Sequence, residues 1–144
     1  KRDGFNLDMD GTRRLLWRSA MAGGIGGWFG FYAFSEHPYQ KPVQLRTFHR
    51  FWENRFRFNL EYEAKTTNSS AFKMNDQKKD MYYMEKSQSI ALDLSDMTGK
   101  LPLFAVDTKK KYKELLLGEL QPGIRNISLP YESDWIIVIG KFYH

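Results

Sequence analysis

The sequence predicts an α+β chain: a helix–strand–helix unit followed by an antiparallel β-sandwich. Three observations predict it. Two stretches near the start place apolar residues at helical spacing. Between them, Ala20–Phe34 is an uncharged run in which four glycines sit within five positions (Gly23, Gly24, Gly26, Gly27), followed by Trp28, Phe29, Phe31 and Tyr32. After Leu60, short apolar runs alternate with turn residues at regular spacing, as in an all-β unit.

Lys1 to Leu7 reads as loop. Asp10 or Thr12 is the expected cap of a helix over Thr12–Met21. Leu15, Leu16, Trp17, Ala20 and Met21 give it a broad apolar side, with Arg13, Arg14 and Arg18 on the other, solvated side. Gly23-Gly24 stops it. Ile25–Tyr32 is short, apolar and bounded by glycine, the pattern of a strand buried on both faces. Pro38 and Pro42 keep the following loop extended. The second helix carries Val43, Leu45, Phe48, Trp52 and Phe56 on one side and Arg46 and Arg50 on another. Helix, buried strand, helix is a unit of a parallel α/β structure.

The second part opens on the polar stretch Glu61–Lys65 and the turn cluster Thr66-Thr67-Asn68-Ser69-Ser70. Strands are expected at Ala71–Met74, Met81–Glu85, Ser89–Leu94, Leu101–Val106, Tyr112–Leu117, Ile124–Leu129 and Asp134–Gly140. Met97–Lys100, Asp107–Lys111 and Gln121-Pro122-Gly123 are the turns. The length and β-branched content of the last strand place it centrally.

At 144 residues the chain has room for one domain, or a small domain and a piece of another. Residues 1–60 hold ten Lys/Arg against five Asp/Glu, whereas residues 61–144 hold twelve of each. This shift in charge puts a boundary near residue 60, giving units 1–60 and 61–144. The basic excess is read as a solvated helix face, so no nucleic-acid partner is expected. The absence of cysteine excludes disulfides and thiol chemistry. The uncharged run, at 15 residues, is too short for a membrane span of about 20.

Few motifs carry chemistry. Gly23–Gly27 follows a helix instead of linking a strand to one, so it is not a dinucleotide loop. Asp8 and Asp10 sit where helix caps sit. Asp93, Asp96 and Asp107 fall at strand ends, where turn chemistry explains them. The three histidines, His37, His49 and His144, are scattered, and neither a metal nor a cofactor is expected. In parallel α/β folds the site lies at the strand carboxyl ends. Trp28 and Tyr32 at the exit of the glycine-rich strand, with His37 in the next loop, are therefore the candidate substrate-binding residues. Flat rings there suit sugar faces.

The run Thr12-Arg13-Arg14-Leu15-Leu16-Trp17-Arg18 through Ala22-Gly23-Gly24-Ile25-Gly26-Gly27-Trp28-Phe29-Gly30 resembles the end of a glycoside-hydrolase-like (β/α)8 barrel. Pro42-Val43-Gln44-Leu45-Arg46, with Phe48 and Phe51-Trp52, looks like its last helix. The tail is similar to the closing β-sandwich of these proteins, through Ile90-Ala91-Leu92-Asp93-Leu94-Ser95, Phe104-Ala105-Val106-Asp107 and Asp134-Trp135-Ile136-Ile137-Val138-Ile139. That sandwich is called a collagen-binding domain in some members, but nothing in these residues supports collagen binding.

The resemblance implies an α+β fragment: the last helix–strand–helix of a (β/α)8 barrel (1–60) and a C-terminal β-sandwich (61–144). It also implies a carbohydrate substrate, a secreted or periplasmic location, and two catalytic glutamates that would lie upstream of Lys1. Glu36 and Glu53 match neither position, so no catalytic residue is expected within the chain. Trp28 corresponds to an eighth-strand aromatic. The remaining barrel half, on the same precursor or a second chain, is the expected partner. The alternative is a stand-alone carbohydrate- or protein-binding β-sandwich module.

Overall fold

The computed structural model describes residues 8–23, 41–53, 55, 61–63, 72–75 and 80–140, including side chains except at 61–63 and 72–75. The expected strand Ile25–Tyr32 lies outside the described residues. Helix α1 (Met9–Met21) starts earlier than its apolar spacing suggests, because Asp8 is the cap. The Asp8 carboxylate accepts the Gly11 amide at 2.6 Å, which satisfies one of the four donors a helix start leaves open. Gly23, with φ of +79°, ends the helix where a side chain would be strained. Helix α2 (Pro42–Glu53) begins on a proline, whose missing N–H costs nothing at that position.

Among the described residues six strands follow: β1 (Glu61–Glu63), β2 (Phe72–Asn75), β3 (Asp80–Asp93), β4 (Leu101–Asp107), β5 (Leu115–Leu120) and β6 (Ile124–Ile139). All pairs are antiparallel, in the order β1-β2-β3-β6-β4-β5. The strands expected for two sheets are thus hydrogen-bonded into one. The reason lies in β3 and β6. Each merges two expected strands by running through a bulge instead of a loop.

Those bulges follow from local chemistry. Between Met84 and Ser87, β3 carries one residue more than the facing stretch from Trp135 to Ser133. Lys86 takes up the excess with φ of +46°. Between Ser87 and Ser89 the surplus is on β6, around Pro130, which has no amide to give the ladder. β5 is also irregular: Gly118, with φ of +124°, sits at its bulge against β4.

The inner half of β6 is buried on both faces, as expected of a central strand. Trp135, Ile137 and Ile139 join a cluster with Tyr82, Met84, Ile90, Leu92, Leu103, Ala105, Ile127 and Leu129. Ile136 and Val138 join the other cluster, with Met81, Tyr83 and Val106, and this one receives the helices through Trp17, Met21, Phe51 and Trp52. Trp17 is its hub. It stacks on Tyr83 at 5.7 Å and meets Phe48 and Phe51 edge-on at 5.1 and 5.2 Å. Helices and sheet therefore share one core.

Candidate functional site

The stripe of α1 that faces the sheet is Arg13, Trp17 and Met21, one residue per turn. This corrects the expectation of a solvated arginine face. Arg13 is 1% exposed. It is buried because a carboxylate waits for it, not because the helix lacks apolar residues: Leu15 and Leu16 are only half-buried.

That carboxylate is Asp134, itself fully buried. It stands on β6 opposite the Lys86 bulge, on the face that Ile136 and Val138 turn to the helices. The bulge leaves the Lys86 amide outside the ladder, and this amide donates to Asp134 Oδ1 at 2.9 Å. Arg14 donates from Nε to Oδ2 at 2.8 Å and from Nη2 to Oδ1 at 3.1 Å. Arg13 Nη2 donates to Oδ2 as well. Lys109 Nζ stands 3.6 Å from Oδ1.

Burial alone would push the Asp134 carboxyl up. The bonds from Arg14, the Lys86 amide and Arg13, with the charge of Arg13, outweigh it and hold the group well below the usual carboxylate range. Asp134 is accordingly an ionised acceptor whose oxygens are occupied. It serves to fasten elements together, not to transfer protons.

The node extends to both helices. Arg13 Nη1 donates to Asp10 and, at 3.4 Å, to Gln44 Oε1 on α2. Gln44 Nε2 donates to the Lys109 carbonyl at 3.3 Å, and Thr47 Oγ1 to the Lys110 carbonyl at 2.6 Å, so α2 is tied to the turn after β4. That turn is built by Asp107, which accepts from Tyr131, Ser133 and the Lys109 amide. Asp93 likewise holds Ser95. Both aspartates do turn chemistry, and no cluster of metal-ligating side chains occurs among the described residues.

Further pairs join the first part to the second among the described residues, and Arg14 Nε also stands 3.5 Å from Glu85 Oε2. Arg18 forms a two-point pair with Glu85, in the open at 49% exposure of Arg18. Arg55, after α2, is 2% exposed, caps the Phe51 carbonyl at 2.7 Å and pairs with Glu114. Four arginines of the first part, Arg13, Arg14, Arg18 and Arg55, are thus met by carboxylates of the second.

One protein described as a glycoside hydrolase matches the whole chain at a TM-score of 0.66 and 14% identity. A glycoside hydrolase family 5 protein from Bacteroides vulgatus matches the whole chain at 0.72 and 12% identity. The chain has the fold of part of these proteins. It spans only 39% of the length of each. No family model matches the sequence, and a search of curated proteins finds no match. No described helix is long and apolar enough to cross a membrane.

The candidate substrate residues Trp28, Tyr32 and His37 lie outside the described residues. The residues that sequence reading missed are Asp134, Arg13, Arg14 and Lys86. Two signals pointed to them: an arginine in line with Trp17 and Met21 at four-residue spacing, and an aspartate opening an otherwise apolar strand.

Proposed function

We propose that this chain is the C-terminal portion of a glycoside hydrolase that acts on poly- or oligosaccharide. In this reading residues 1–60 supply the last elements of a (β/α)8 barrel. Residues 61–144 would supply its closing β-sandwich. The whole protein would cleave the glycosidic bond with two carboxylates, carried on the rest of the barrel before Lys1. Trp28 and Tyr32 would line the sugar site, with His37 beside them. The protein would work outside the cytoplasm, secreted or periplasmic. Collagen binding forms no part of the proposal.

The observation that carries this reading is the match of the whole chain, helices and sheet together, to part of two glycoside hydrolases. The second reading, a stand-alone carbohydrate- or protein-binding module, keeps the sheet and discards the barrel. It is disfavoured by the shared core, since a module would not need Trp17 and Phe51 inserted against its central strand.

The test is a pair of assays on a panel of polysaccharides. The chain joined to a preceding barrel half is expected to release reducing sugar, and the 144-residue chain alone is expected to release none. Retention of glycan by the 144-residue chain, with no hydrolysis from the joined protein, would establish the module instead.

A further inference from the structure

We propose that Asp134 fixes the register in which α1 docks on the sheet, independently of the enzymatic reading above. The ring contacts of Trp17 favour the observed register, but the rest of the apolar burial of α1 is non-directional and does not choose one. The sheet-facing stripe repeats every turn: Arg13, then Trp17, then Met21. A slip of α1 by one turn, about 5.4 Å, sets either Met21 or Arg13 in the place of Trp17, and with Met21 there the place stays apolar.

Charge makes the choice. In the observed register Asp134 meets the guanidiniums of Arg13 and Arg14 together. Shifted one turn one way, the helix would present Trp17 and Arg18 to Asp134, and half of the pairing would go. Shifted the other way, it would present Met9 and Asp10, setting a second carboxylate against a buried one. The groups that face Asp134 from other elements, the Lys86 amide on β3 and Lys109 after β4, do not move with α1 and leave the two wrong registers unsatisfied. Buried ion pairs are often poor net stabilisers, and fixing a register is their best-attested use.

The experiment removes the charge and keeps the volume in the full 144-residue chain: Arg13→Met, Arg14→Met and Asp134→Asn together, where the asparagine oxygen still accepts the Lys86 amide. Two readouts report register. One is the indole N–H resonance of Trp17, assigned with Trp17→Phe. The other is the coupling between Arg18 and Glu85, measured by a double-mutant cycle in Arg14→Met, where the 3.5 Å contact of Arg14 with Glu85 is already gone, and in the triple variant. The triple variant is expected to unfold cooperatively, as the parent does. Its Trp17 resonance is expected to broaden or split, and the Arg18–Glu85 coupling, about two-fold in the unfolding constant for an exposed pair, to fall to none. A single sharp Trp17 resonance with the coupling intact would overturn the proposal. So would outright unfolding of the triple variant, which would make the node a stabiliser rather than a selector.

Discussion

Arg13 on the first helix and Asp134 on the last strand stand 121 residues apart in the chain and form an ion pair with side-chain exposures of 1% and 0%. Around this pair, a strand bulge, a helix and the turn after β4 are held to one carboxylate. Its consequences are measurable.

Removing one partner strands the other. Asp134→Ala leaves the buried Arg13 with the part-exposed Asp10 and Gln44, and the half-buried Arg14 with Glu85 at 3.5 Å, and should cost about 3 kcal/mol. Urea unfolding of the variant against the parent gives the figure. A loss below about 1 kcal/mol would mean that water reaches the site and relieves the charges.

The same group sets a pH dependence. The folded-state pKa of Asp134 is depressed, so its contribution is complete above the unfolded carboxylate value of about 3.9 and drains away as pH falls towards the folded value. Melting temperature measured from pH 7 down to pH 2 should fall more steeply in the parent than in Asp134→Asn, which has no carboxylate there to protonate. Parallel curves would remove Asp134 from the acid response.

Exposure, not geometry, should rank the helix–sheet pairs. Arg18 has two-point geometry with Glu85 but lies in the open, so Arg18→Ala should cost less than about 1 kcal/mol and lose even that in high salt. Glu114→Ala uncovers the buried Arg55 and should cost about 2–4 kcal/mol with little salt dependence. Denaturation of both variants at low and high salt tests the order.

Lys86 inverts the usual strand preference. Its φ of +46° suits glycine or asparagine, and β-branched residues badly. Lys86→Val, favourable in a regular strand, should destabilise by about 1–2 kcal/mol, while Lys86→Gly should stay within about 0.5 kcal/mol of the parent. Since the Lys86 side chain is exposed, the difference reports on backbone alone.

If the glycoside hydrolase reading holds, Trp28→Ala in the complete enzyme should raise KM for an oligosaccharide by about ten-fold, the loss of one stacked ring. Unchanged kinetics would take Trp28 out of the sugar site.

Much of the fold was legible because periodicity is local. The existence of the two helices, though not the start of the first at Met9, the turn at Gln121-Pro122-Gly123 and the central place of Trp135–Ile139 follow from spacing and residue type within a dozen positions. Bulges were not legible in the same way. Lys86-Ser87-Gln88 and Pro130–Ser133 carry turn-like residues, and only the partner strand decides whether such residues reverse the chain or ride through it.

The sequence by itself determined the amount of charge on each side of residue 60 and the apolar faces available to bury it. Only the tertiary structure decided which arginines of the first part meet carboxylates of the second. An arginine beside Trp17 reads as solvated until an aspartate from β6 is placed against it, because desolvating either charge alone is prohibitive and the pair becomes tolerable only when both arrive together.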